Sequence, residues 1–257
     1  MPLSKLAEQN VGYRAWPEQF DPQRPTILMV HGAGGRSEIW NAQLRPLGRN
    51  FNAIAIDLPG HGRTPGKACE QISEYAHWLV ELMESCFEAP VVLMGHSMGG
   101  AICQKAALQG STRIKALILA ATGPRPKVAP AFLEGLKKEF ETTVDMIIKY
   151  AYSSSAQPLM LREGANLMKQ AGPEILYNDF AACDRFDVRE GVSKIEIPSL
   201  IICGEEDKLT PPSLCRKLHK GIKGSKMVEI QGAGHMVMIE AWRPFNESVA
   251  EFVRVLP

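Results

Sequence analysis

Six short, nearly continuous apolar runs punctuate the chain, each closed by glycine or a polar turn. They are TILMVHG from Thr26, FNAIAIDLPG from Phe51, PVVLMGHS from Pro90, IKALILAAT from Ile114, PSLIICGEED from Pro198 and KMVEIQGAGH from Lys226. Runs this short, rich in β-branched and aliphatic residues, make strands buried on both faces, and such strands belong to a parallel sheet between two helical layers. Between the runs, apolar residues recur at three and four: Ile72, Tyr75, Ala76, Leu79, Leu82 and Met83, and later Phe245, Val249, Phe252 and Val253. That spacing lays one stripe along a helix, as packing on a sheet requires. Residues 3 to 16 are expected to add a weaker pair of antiparallel edge strands.

Between Gly123 and about Glu190 the alternation stops. Pro124, Pro126 and Pro130 lead into the helical stretches AFLEGLKKEFETTVDMIIKYAY and PLMLREGANLMKQ, and the strand pattern returns at Ile195. This reads as a helical cap, residues 124–190, set into a core made of 1–123 and 191–257. The chain has 257 residues, 45% of them hydrophobic, which suffices for one core of this kind. Lysine and arginine number 29 against 28 aspartates and glutamates, so no field draws in nucleic acid or an anionic membrane. MPLSKLAEQN lacks the apolar run of a signal peptide, and no stretch approaches the ~18 apolar residues of a membrane span. A cytoplasmic protein is expected. Its six cysteines (Cys69, Cys86, Cys103, Cys183, Cys203 and Cys215) include no CxxC pair and should be reduced thiols. The sequon at Asn246 falls in an apparent helix and is read as chance. The expected partner is a small molecule, with neither metal nor cofactor.

The sharpest chemical signal is Gly95, His96, Ser97, Met98, Gly99, directly after the strand PVVLM and before a helix beginning GGAICQKAAL. Glycines on both sides of the serine permit a tight strand-to-helix turn that lifts its hydroxyl above the sheet edge. A serine hydroxyl is a weak nucleophile until a base takes its proton. His235, in the turn GAGH after the last strand, lies at the same edge of the sheet and is the expected base. His61, in DLPGHGRT, is the alternative; His31 and His96 read as turn-shaping, His77 and His219 as helical. Asp207, in GEEDKLTPP after another strand, is the expected acid, with Glu205, Glu206 and Asp57 as rivals. An oxyanion needs waiting NH groups, which the backbones of Met98 and of Ala33, in the loop His31 to Gly35, are expected to supply. HGAGG lacks the lysine and hydroxyl residue of a phosphate-cradling loop.

HGAGG, DLPGHGRT, GHSMGG, GEEDKLTPP and GAGHMVMIE, in this order across residues 26 to 256, resemble the α/β-hydrolase superfamily. The likeness implies an α/β-hydrolase fold: about eight strands, mostly parallel, with helices on both faces and the cap inserted after the sixth strand. It also implies a serine hydrolase cleaving a small carboxylic ester, lactone or thioester through an acyl-enzyme. The chain is most similar to small bacterial carboxylesterases, acyl-carrier methyl esterases and enol-lactone hydrolases. Dehalogenases and epoxide hydrolases carry aspartate at the elbow, where this chain has Ser97. Carbon-carbon bond hydrolases often have asparagine at the position of His96. They remain the alternative, together with a ligand receptor of slow turnover. Phe132, Phe140, Met146, Met160 and Phe180 are the cap residues expected to line an acyl pocket, unless they only fill the cap's own core. From Arg125 to Glu190 nine basic residues face ten acidic ones, which favours a small free ester over an acidic carrier protein.

Overall fold

The computed structural model describes residues 1–256. All five residues of β2 (Thr26–Val30) are buried, with Leu28 and Val30 on one face and Ile27 and Met29 on the other. The strands β3 (Asn52–Ile56), β4 (Val91–His96) and β6 (Ser199–Gly204) are buried throughout in the same way. With β1 (Tyr13–Trp16), β5 (Ile114–Ala120) and β7 (Lys226–Ile230) they form one sheet ordered β1-β3-β2-β4-β5-β6-β7. Only β1 runs antiparallel, against β3.

Both faces are covered. One carries α1 (Pro2–Glu8), α3 (Ile72–Cys86), α4 (Met98–Ala107) and α9 (Pro212–Gly221); the other carries α2 (Asn41–Leu47), α10 (Val237–Glu240) and α11 (Trp242–Arg254). Burying a side chain such as Leu79 or Phe245 contributes about 1.5–3 kcal/mol, so these two clusters dominate the stability of the core. Among the described residues no helix is long and apolar enough to cross a membrane.

Seven strands form instead of about eight, and the insertion follows the fifth. The difference lies at the start of the chain. Pro2 is favourable at a first helical turn, and Leu3 and Leu6, three apart, pack on α3, so residues 2–8 become α1 and only Tyr13–Trp16 pairs as a strand. Between β5 and β6 lie α5 (Pro130–Lys138), α6 (Phe140–Ala151), α7 (Pro158–Lys169) and α8 (Pro173–Arg185), which bury Leu136, Val144, Ile147 and Leu176 among themselves. We call this layer the cap.

The chain leaves β2 for β3 on one side and crosses to β4 on the other, so the sheet order reverses between β2 and β4. At such a reversal the loops beyond the strand ends diverge and leave a crevice. The HGAGG loop and the GHSMGG turn border it.

Candidate active site

Ser97 stands between β4 and α4, at the N-cap of the helix, with φ +53° and ψ −115°, a backbone conformation that L residues rarely adopt. Its surroundings enforce that conformation. The Ser97 NH donates to Ala120 O at 2.9 Å, and Thr122 Oγ1 donates to Ser97 O at 2.9 Å. A Cβ on Gly99 would come within 2.3 Å of Val30 O, so the helix can start this close to β2 only with glycine there.

His235 and Asp207 meet in the turns that follow β7 and β6. His235 Nδ1 donates to Asp207 Oδ2 at 2.9 Å, and Thr210 Oγ1 lies 3.0 Å from the same nitrogen. The other carboxylate oxygen, Oδ1, accepts the NH groups of Leu209 and Thr210 at 2.9 and 2.8 Å. Burial raises the pKa of Asp207, but the charge and hydrogen bond of His235 and the Thr210 donors outweigh it, and the net shift is downward. Asp207 is therefore the ionised partner that holds Nδ1–H and leaves Nε2 as the free lone pair. The backbone NH of His235 donates to Ala151 O, the last residue of α6, at 2.8 Å, so the cap also grips the histidine loop.

Ser97, His235, Thr210, Ala33 and Met98 all line one cavity of about 690 Å³ between core and cap. Phe132, Met146, Met160 and Phe180 form part of its cap wall, and Ile147, Tyr150 and Met168 join them. Phe140 does not. It starts α6 two turns before Ile147, roughly 10 Å along the axis at 1.5 Å per residue, and packs instead against the cap's own core.

The sequence pattern of the alpha/beta hydrolase family matches residues 27–248, most of the chain. This chain belongs to that family. A structure described as a thermophilic esterase superposes with a TM-score of 0.83 at 32% identity, covering 95% of this chain and 99% of its own. The enol-lactonase from Burkholderia xenovorans LB400 shares the fold with a TM-score of 0.87 at 23% identity, over 95% of this chain and 96% of its own. The pimeloyl-acyl-carrier-protein methyl ester esterase of Neisseria meningitidis serogroup C is 24% identical over 241 residues, 88% of this chain and 93% of the relative.

Within this α/β hydrolase the rival histidines and acids have other employment. His31 Nδ1 donates to Gly32 O at 2.9 Å and its Nε2 accepts from the Leu58 NH at 3.0 Å. Burial, with His61 beside it, pushes its pKa down to about 4, so it is a neutral, fixed ring. His96 Nε2 donates to His235 O at 3.0 Å, and burial takes its pKa down to about 3. Glu205 accepts from the Gly232 NH, and Glu206 from Ser154 NH and Oγ. Asp57 accepts the NH groups of Ser37 and Arg63, bracing the segment that follows the HGAGG loop. Neither glutamate nor Asp57 is on the cavity wall.

His61 is also off the cavity wall. Both its nitrogens face acceptors: Nδ1 meets Pro59 O at 3.0 Å and Nε2 meets Asp179 Oδ2 at 2.9 Å. Burial alone would lower its pKa, yet the Asp179 carboxylate more than offsets that and the net shift is upward. A folded pKa above the unfolded one contributes stability that is complete below about pH 6.5 and is lost as pH rises through the raised value. Wild type should accordingly lose Tm as pH climbs above about 6.5, and His61→Gln should lose less over the same range. Calorimetry across that range checks it; identical slopes would refute the assignment of the charge to His61.

Proposed function

We propose that the protein is a serine carboxylesterase acting on a small, largely apolar ester, with Ser97 as nucleophile, His235 as base, Asp207 as acid, and the NH groups of Ala33 and Met98 as oxyanion donors. The observation that carries this reading is the strained elbow placing Ser97 on the same cavity wall as a histidine whose Nδ1 is held by a buried carboxylate. In this mechanism Ser97 Oγ attacks the ester carbonyl carbon as its proton passes to His235 Nε2. The carbonyl electrons move onto oxygen, where the two backbone NH groups stabilise them. Collapse breaks the carbon-oxygen bond, and the alcohol leaves with the proton from His235. Water, deprotonated by the same ring, then releases the acid from the acyl-enzyme. Family relatives named as an esterase, an enol-lactonase and an acyl-carrier methyl ester esterase support an ester-type bond.

The cavity wall from the cap is aliphatic and aromatic, which suits an acyl chain better than a charged group. Methionine side chains such as Met146 and Met160 adapt to chains of different shape. Each methylene moved from water into such a wall contributes about 0.8 kcal/mol, a factor of about four in kcat/KM, until the cavity is filled. A panel of p-nitrophenyl esters of increasing acyl length should show this rise followed by a break. Multiple turnover should occur with each. A single-turnover burst with nothing after it would instead favour a ligand receptor, and a length-independent rate would remove the acyl chain from the cap.

A further inference from the structure

A second buried acid-base cluster lies behind the HGAGG loop, where α8 meets the core. Asp179, on α8, is completely buried. Its carboxylate receives donors from three separate elements. Oδ2 takes the Gly34 NH at 2.8 Å and His61 Nε2 at 2.9 Å, while Oδ1 takes the Tyr75 hydroxyl of α3 at 2.9 Å. The loop docks directly on this helix. Gly34 has φ +62°, and a Cβ there would lie 2.5 Å from Cδ1 of Leu176, one turn before Asp179.

Two successive peptide planes of the loop are held, each by its own partners. The plane shared by Gly32 O and the Ala33 NH is fixed on its oxygen side, because Gly32 O accepts from His31 Nδ1 at 2.9 Å and from the Gly35 NH at 3.0 Å. A trans peptide carries its NH opposite its oxygen, so the Ala33 NH is directed away from that pair of donors. The next plane, carrying the Gly34 NH, is held by the Asp179 carboxylate alone. We propose that Asp179 is the positioning residue of the oxyanion loop, through which a cap helix sets the aim of the Ala33 NH. This rests on the serine-esterase reading above. The cluster explains its own composition: a lone buried carboxylate behind the loop would oppose a developing oxyanion, and His61, with acceptors on both ring nitrogens, supplies the compensating positive charge.

The test compares wild type with Asp179→Leu, which removes every acceptor, and Asp179→Asn, which keeps the shape but leaves one carbonyl oxygen to serve both sides. Active sites are counted by fluorophosphonate labelling of Ser97, so that kcat is expressed per folded site. Three quantities are read: kcat, the affinity of a trifluoromethyl ketone that becomes a tetrahedral oxyanion on Ser97, and the affinity of an ether analogue of the ester that cannot. Direct loss of an oxyanion donor costs about 10²–10³-fold, so misaiming one should lower kcat by about 10- to 100-fold. The ketone should weaken by the same factor and the ether should bind as before. Should Asp179→Leu not fold, Asp179→Asn decides on the same readouts with a smaller expected loss. Equal weakening of both inhibitors, or an unchanged kcat per labelled site, would overturn the positioning role while leaving the esterase reading intact. Failure of the probe to label Ser97 in wild type would overturn the esterase reading and this inference with it.

Discussion

Ser97→Ala should reduce ester turnover by about 10⁵-fold or more while the protein stays folded. The hydroxyl lies on the cavity wall and holds none of the backbone contacts that shape the elbow; those belong to the Ser97 NH and carbonyl, which alanine retains. The variant should therefore unfold at nearly the wild-type temperature and lose fluorophosphonate labelling. Backbone strain gives a second handle. A residue held at φ +53° and ψ −115° costs of order 1–3 kcal/mol, and a glycine relieves that at an entropic cost of about 0.5–1 kcal/mol. Ser97→Gly, equally inactive, should accordingly be at least as stable as Ser97→Ala. Labelling that persists in either variant would place the nucleophile elsewhere. A glycine variant clearly less stable than the alanine one would show that the elbow is not strained.

The core of this molecule was legible because both its periodicities are physical requirements. A strand buried on both faces must be apolar at every position, as TILMV and NAIAI are, and a helix on a sheet must carry one stripe, as Ile72 to Met83 do. The opening segment was misread because Leu3 and Leu6 are too few apolar residues to distinguish period two from period 3.6. Ser97, Asp207 and His235 could be singled out as candidates because each lies in the turn that follows a strand, and parallel topology brings such turns to one edge of the sheet. What the sequence conceals is side-chain contact between elements, above all where the cap meets the core. Thr210 stands inside GEEDKLTPP three residues after Asp207, yet nothing in that string tells that its hydroxyl turns to His235 Nδ1. Asp179, in the unremarkable helix PEILYNDFAACDR, meets Gly34 across 145 residues of sequence. Phe140 and Phe180 are indistinguishable as aromatic residues on cap helices, and only the packing of α6 and α8 over the core decides that Phe180 reaches the cavity and Phe140 does not.

Asp207→Asn should lower kcat by about 10⁴-fold, an effect known from the serine-protease triad, and the geometry here says why the substitution cannot be accommodated by rotating the amide. Oδ1 accepts two backbone NH groups, from Leu209 and Thr210, whereas Oδ2 faces His235 Nδ1 and the Thr210 hydroxyl. An asparagine must keep its oxygen on the two NH groups, since turning the NH2 toward them would set donor against donor in a buried site. The NH2 therefore replaces Oδ2 and points at His235 Nδ1. That nitrogen must then become the acceptor, the ring proton moves to Nε2, and no lone pair is left to receive the proton of Ser97. The loss should appear in kcat and equally in the rate of fluorophosphonate labelling, with unfolding temperature little changed. Glu205→Gln and Glu206→Gln alter hydrogen bonds to Gln231, Gly232 and Ser154, none of which is on the cavity wall, so their rates should stay near wild type. A glutamine variant as impaired as Asp207→Asn, or an asparagine variant with normal labelling, would mean that the orienting carboxylate is a different one.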